Sequence, residues 1–181
     1  MGKLRFLIAI IVGKVSAFLL GTIFKRGTNT PGIIMLKICP DALSRFVMPR
    51  KTICVTGTNG KTGTSNLLTH IIRNSGKTVV NNSKGSNMAP GLASALVTQC
   101  TLSGKVTADV AVLEVDERSS QYIYTQFTPD FILCTNLFRD SIMRNGHSGF
   151  IFDKINDYLN KKTTLVLNGN DGISGLLGEG I

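Results

Sequence analysis

The chain has no tryptophan, no C-x-x-C pair and a single acidic residue, Asp41, before Thr52. Without paired cysteines the spacing of a zinc ribbon is missing. Four scattered cysteines, Cys39, Cys54, Cys100 and Cys134, do not make a secreted disulfide framework either. Cys54 and Cys134 fall inside apolar runs, which predicts buried thiols in a reducing cytosol. Internal repeats and low-complexity tracts are lacking, and the composition is not that of a disordered or fibrous chain. What remains is 181 residues with 43% apolar content, enough for one ordinary domain with a real core.

The shortage of acid is local. Met1 to Lys51 carries nine Lys and Arg against Asp41 alone, so this arm holds +8 of the total charge of +9. A basic arm prefers an anionic neighbour: a lipid surface, a nucleic acid or a phosphorylated substrate. Its phenylalanines, Phe6, Phe18, Phe24 and Phe46, fit a core or a helix face and not a stacking platform, so no nucleic acid is expected.

Leu4 to Phe24 is apolar apart from Arg5 and Lys14 and has three readings. A signal peptide would use Lys3 and Arg5 as its basic start and Val15 to Ala17 as its cleavage site. A transmembrane helix has the length, but Lys14 near its centre costs roughly 2.5–3.5 kcal/mol on insertion. An amphipathic helix, lying on a membrane or packed on the domain, keeps Lys14 at its polar edge and is the reading preferred here. The turn-rich K-R-G-T-N-T-P-G follows, and Pro40 and Pro49 punctuate what comes next. The expected division is a basic arm over residues 1–50 and a domain over residues 51–181.

From Lys51 short apolar runs alternate with helical spacing. Strands are predicted at Thr52–Thr56, Lys77–Asn81, Asp109–Asp116, Asp130–Asn136 and Thr164–Asn168. Helices are predicted at Thr62–Gly76, Pro90–Thr101, Arg118–Phe127 and Phe152–Asn160. Uniformly apolar strands alternating with helices predict an α/β fold: a P-loop-type parallel sheet with helices on both faces, preceded by an N-terminal apolar or amphipathic helix. Ligands of such sheets bind at the carboxyl ends of the strands.

At the first of those ends stands G-T-N-G-K-T-G, Gly57 to Gly63. Backbone amides at a helix N-terminus suit a phosphate, and Gly57 and Gly60 permit the turn. Lys61 would reach the outer phosphates and Thr62 would offer its hydroxyl to Mg²⁺. The general phosphate loop has its first glycine where this chain has Val55, so the loop is shortened. A partner carboxylate is needed on a neighbouring strand, and Glu114 and Asp116 share one face of theirs. Glu114, deeper in the strand, is the candidate metal ligand, while Asp116 or Glu117 would cap the following helix.

V-T-G-T-N-G-K-T resembles the ATP loop of the Mur ligases and folylpolyglutamate synthases. L-E-V-D-E resembles their strand with the Mg²⁺ glutamate, T-N-L-F-R-D-S-I-M-R-N-G their N-L-x-x-D stretch, and V-L-N-G-N-D their adenine-side V-L-N-A-D-D. The arm and S-K-G-S-N-M resemble, more narrowly, the MurT-type subunits of that family. The resemblance implies an ATP-dependent carbon–nitrogen ligase of peptidoglycan synthesis with ATP and Mg²⁺ as cofactors. It implies activation of the D-glutamate α-carboxyl of a lipid-linked stem peptide as an acyl phosphate, and amidation by ammonia from a GatD-type glutaminase.

Position by position, the resemblance implies that Gly57, Thr58, Asn59, Gly60, Lys61, Thr62 and Gly63 hold phosphates. Thr62 and Glu114 would hold Mg²⁺, Lys61 and Glu114 would act in catalysis, Asn87 would lie near the outer phosphates and Asn168 near adenine. The implied location is the cytoplasm, at the inner face of the membrane, with membrane contact through the arm. Ser141, Met143 and Gly63 depart from the family pattern, and the chain ends at Ile181 where family members continue. A fragment that binds ATP weakly and catalyses nothing alone is therefore expected. The alternatives are a non-catalytic nucleotide-binding remnant and another P-loop enzyme, such as a small-molecule kinase or a folylpolyglutamate synthase relative.

Overall fold

A computed structural model describes residues 2–21, 29–138 and 148–179. Five strands form one sheet: β1 (Lys51–Thr56), β2 (Val79–Asn81), β3 (Val110–Glu114), β4 (Phe131–Cys134) and β5 (Thr164–Leu167). Their order is β2-β3-β1-β4-β5, and every pairing is parallel. All five predicted strands are present, some shortened. The second starts two residues late because Thr78 turns away, giving its amide and hydroxyl to the Asp109 carboxylate at 2.8 and 2.7 Å.

The helices are α1 (Gly2–Leu19), α2 (Thr30–Ile38), α3 (Ala42–Arg45), α4 (Lys61–Asn74), α5 (Ala89–Thr98), α6 (Ser120–Gln126) and α7 (Ser148–Asn156). Alternate strand residues face opposite ways, and this sorts the core into two clusters. Val55, Val79, Val110 and Val112 pack against Leu68 and Ile72 of α4. Cys54, Val80, Leu113 and Ile132 face the other way, toward Leu92 and Leu96 of α5, Ile123 of α6 and Ile155 of α7. The helical spacing of Leu67, Leu68, Ile71 and Ile72 is used by half: Leu67 and Ile71 stay exposed.

The N-terminal helices share the larger cluster. Phe6, Ile10, Met35, Leu43 and Phe46 are buried in it, and Phe6 meets Phe46 edge to face at 5.4 Å. Helix α2 lies very close to α5. The Gly32 amide donates to Ser94 Oγ at 2.8 Å, and a Cβ on Gly32 would sit 1.9 Å from the Pro90 carbonyl oxygen. Among the described residues no helix is long and apolar enough to cross a membrane. The transmembrane reading of Leu4 to Phe24 gives way to a packed helix, α1, with Lys14 half-buried at its flank. All four cysteines are free and buried; burial pushes the Cys134 thiol up to about 12, so these groups are packing residues.

The contact of Gly32 with Pro90 gives a stability test. Gly32→Ala must push α2 off α5, and the urea midpoint is expected to fall by an equivalent of roughly 1–3 kcal/mol. An unchanged midpoint would mean that the two helices do not meet this closely.

Candidate functional site

The ends of β1 and β3 lie side by side, with Val55 opposite Glu114. From Thr56 the chain enters a turn in which Gly57 has φ 123° and Gly60 has φ 83°. Both are left-handed values that favour glycine. Gly57 also has no room for a side chain, because a Cβ there would lie 2.3 Å from Thr135 Oγ1 and 2.8 Å from the Asn136 carbonyl oxygen.

The turn is laced to the segment that follows β4. The Thr58 amide donates to the Asn136 carbonyl at 2.8 Å, and the Asn59 amide to Asn136 Oδ1 at 2.9 Å. Thr135 Oγ1 and Asn136 Nδ2 donate to the Asn59 carbonyl at 2.7 and 3.1 Å. The Thr58 hydroxyl accepts from the Phe138 amide at 3.0 Å. Two of the amides expected to face phosphate, those of Thr58 and Asn59, are therefore committed inside the protein. Helix α4 starts at Lys61, and the amides of a helix's first turn have no acceptor within the helix. The loop thus divides into an inner half, used for holding, and an outer half from Gly60 to Gly63 whose donors lack an acceptor within the helix. Thr62 and Gly63 are exposed there.

Lys61 is turned inward. Its ammonium donates to the Gly57 carbonyl, to the Thr58 carbonyl at 3.1 Å, and to both carboxylate oxygens of Glu117 at 3.3 Å. Both side chains of this pair are largely buried. Burial pushes the Glu117 carboxyl above its ordinary value and the Asp116 charge adds to this, while backbone hydrogen bonding and Lys61 pull the other way. Glu117 was expected as a capping residue. It sits instead against the loop lysine, and its backbone carbonyl accepts from Ser120 Oγ at 2.6 Å. Asp116 takes the turn role, accepting from the Arg118 amide at 3.0 Å.

Glu114, the expected metal ligand, is 8% exposed at the end of β3. Its carboxylate accepts from Asn87 Nδ2 at 3.3 Å, and the Asn87 carbonyl accepts from the Asp116 amide at 2.8 Å. The structure thus brings Asn87 and Glu114 together. Beneath them Asn82, 3% exposed, continues the sheet with its side chain. Asn82 Oδ1 accepts from the Glu114 amide at 2.8 Å, and its Nδ2 donates to the Glu114 carbonyl at 2.9 Å. Among the described residues no group of three or more His, Cys, Asp or Glu is placed to hold a metal ion.

Asn168 lies past β5, two strands from the loop. Its Nδ2 donates to the Thr135 carbonyl at 2.9 Å, which ties it to the loop through the residue that also holds Asn59. Asp171 next to it accepts from the Leu137 and Ser174 amides at 2.7 and 3.2 Å. Burial works against the charge of Asp171, but these hydrogen bonds win and hold its carboxyl below the usual range. Ser141 and Met143 lie outside the described residues.

Sequence reasoning gave no role to Asn136 and Asn82, and gave Glu117 only a candidate capping role. Asn136 lay inside a stretch singled out for its resemblance, which was a usable signal. Glu117 also lay inside such a stretch, L-E-V-D-E, but its pairing with Lys61 had no local signal, and Asn82 had none at all, because their partners are 56 and 32 residues away.

The chain is similar to known proteins in sequence and in fold. Residues 55–175 match the family model described as the Mur ligase middle domain. The chain is 37% identical over 149 residues to the MurT subunit of the glutamine-hydrolysing lipid II isoglutaminyl synthase of Staphylococcus aureus (strain N315), covering 81% of this chain and 33% of that one. The corresponding subunit of Streptococcus pneumoniae (strain ATCC BAA-255 / R6) is 33% identical over 170 residues, covering 93% of this chain and 37% of that one. The chain therefore spans about a third of the length of these curated relatives.

Among solved structures, MurF from Acinetobacter baumannii superposes with a TM-score of 0.61 at 16% identity, over 81% of this chain and 32% of that one. MurF ligase from Thermotoga maritima in complex with ADP superposes with a TM-score of 0.55 at 19% identity, over 75% of this chain and 31% of that one. At such identities the likeness is one of fold. With two-thirds of its length under the middle-domain model, and with that sheet and loop in place, the chain belongs to the Mur ligase family of ATP-dependent carbon–nitrogen ligases.

Proposed function

We propose that this chain is the ATP-binding portion of a MurT-type amide ligase of peptidoglycan synthesis. The acceptor is the D-glutamate α-carboxyl of the stem peptide on a lipid-linked precursor, and the amine is ammonia from a GatD-type glutaminase subunit. The place of work is the cytoplasm, at the inner face of the membrane. The observation that carries the reading is the outer half of the loop, where the first-turn amides of α4 and Lys61 stand beside the end of the strand that bears Glu114.

The residues present fit a magnesium nucleotide. Amides from Gly60 to Gly63 are free of intrahelical acceptors and sit at the positive end of a 14-residue helix, which suits an anion. The Thr62 hydroxyl and the Glu114 carboxylate would hold Mg²⁺, which needs only one or two protein oxygens when phosphates complete its shell. Asn87, bonded to Glu114, would sit by the outer phosphates, and exposed Asn168 by adenine. When bound, ATP supplies the γ-phosphoryl group that turns the acceptor carboxylate into an acyl phosphate, from which ammonia displaces phosphate.

The chain's own part is electrostatic. An ammonium has three protons to donate, and Lys61 has four acceptors around it already. To meet phosphate it must leave some of these, and Glu117 is the one with full charge. Lys61 then neutralises negative charge on the transferring group. The inner lacing through Asn136 keeps the loop from moving with it.

Lys61→Ala is expected to lower ATP affinity by at least about tenfold in calorimetry while the circular dichroism stays unchanged. Unchanged affinity would remove the phosphate-cradle reading. Glu114→Gln is expected to abolish the Mg²⁺ dependence of ATP binding; a variant that keeps this dependence would show the metal to be held elsewhere.

A pH test follows from Glu117. Its folded pKa is raised, so its favourable contribution is complete at acid pH and is lost as pH rises through the folded value. Glu117→Gln is expected to unfold at a higher urea midpoint than the wild type at pH 7, with the gap closing toward about pH 4. A gap that does not depend on pH would contradict the raised pKa.

A further inference from the structure

Helix α1 is apolar on two opposite sides, and the fold uses one of them. Phe6, Ala9, Ile10 and Gly13 are buried against the core. On the far side Leu4, Ile8, Ile11 and Val15 are 65%, 45%, 44% and 51% exposed. Their spacing of four, three and four residues sets them in one line along a helix, about 17 Å long at 1.5 Å per residue. A continuous row of large aliphatic side chains in water marks a surface meant to be covered.

The charges beside the row indicate what covers it. By helical periodicity Lys3 and Lys14 run along one edge and Arg5 along the other. Arg5 is held by the Ile38 carbonyl. Near the N-terminal end of the helix a groove is lined by Lys3, Leu7, Arg45 and Leu102, with Leu102 also exposed. No acid lies between Met1 and Pro40. A second copy of the chain packed on this row would bring like charges together along both edges. An anionic bilayer has the opposite requirement: aliphatic side chains in the headgroup boundary, with lysines and arginines at the rim, their stems buried and their heads on phosphate.

We propose that the Leu4–Ile8–Ile11–Val15 face of α1 docks the protein on anionic lipid, with the helix lying in the plane of the membrane surface. This deepens the placement at the membrane given above. It rests on the exposed row and its charges alone, and its test reads vesicle binding without catalysis, so either proposal can fail while the other stands.

The test is co-sedimentation of the full chain with phosphatidylglycerol vesicles, with phosphatidylcholine vesicles in parallel. The wild type is expected to pellet with the first and much less with the second. Raising the salt, which shortens the Debye length from about 10 Å at 0.1 M to about 3 Å at 1 M, should weaken the binding. Ile11→Glu and Val15→Glu place acid on the row at positions already exposed and should cut binding at least about tenfold. Leu67→Glu on α4, equally exposed but away from the row, should bind as the wild type does. Equal pelleting of the row variants and the wild type would overturn the proposal. So would failure of the wild type to pellet at low salt. A wild type that sediments as a dimer without vesicles, and becomes monomeric on Val15→Glu, would assign the row to self-association instead.

Discussion

The loop between β1 and α4 is held from one side by Thr135 and Asn136, and the rest of the site depends on that one-sided grip. A turn that must offer amides to a ligand cannot also satisfy them within the protein. Here the division is spatial. The amides of Thr58 and Asn59 face the β4 segment and are consumed by Asn136. The amides at the start of α4 have no intrahelical partner. The grip also explains why the chain needs glycine at position 57, where a side chain would collide with Thr135 and Asn136.

Placing a lysine in such a loop creates a second problem. Its charge faces a largely buried space beside backbone carbonyls. Glu117 meets that need, but at the cost of its own desolvation, which is why its carboxyl is pushed up even with a cation 3.3 Å away. A pair balanced in this way is poorly bound on both sides. Breaking such a pair strands a largely buried carboxylate, so Lys61 leaves Glu117 only for an acceptor of at least comparable charge. Glu114, by contrast, is bonded by the neutral amide of Asn87.

The fold was legible because its signals are local. Thr52–Thr56 and Asp109–Asp116 are apolar throughout, since both faces of these central strands are covered, by α4 on one side and by α5 and α6 on the other. The loop and its lysine were legible for the same reason, because a glycine turn after a strand and before a helix is written in consecutive residues. What sequence reasoning missed is long-range. Asn136 reaches Asn59 across 77 positions and Glu117 reaches Lys61 across 56, and no periodicity marks either. In the N-terminal segment the difficulty was of another kind. An apolar helix read one residue at a time does not say which of its two faces the core will take, and α1 turned out to have two apolar faces.

Those two faces make α1 a connecting layer. Its inner side is fixed to α5, where a Cβ on Gly13 would lie 2.9 Å from Val97, and to α3 through Phe6 and Phe46. Helix α5 in turn covers the sheet through Leu92 and Leu96. The row and the sheet are thus joined through the packed contacts of α1 with α5, and close-packed contacts transmit position well. A surface that seats α1 would therefore fix the orientation of the sheet, and with it the direction in which the outer half of the loop opens. On the reading proposed above the acceptor is lipid-linked and can approach from one side only, which makes orientation the first requirement. The apolar outer row, a liability in a freely diffusing protein, becomes reasonable once it is the feature that sets this angle.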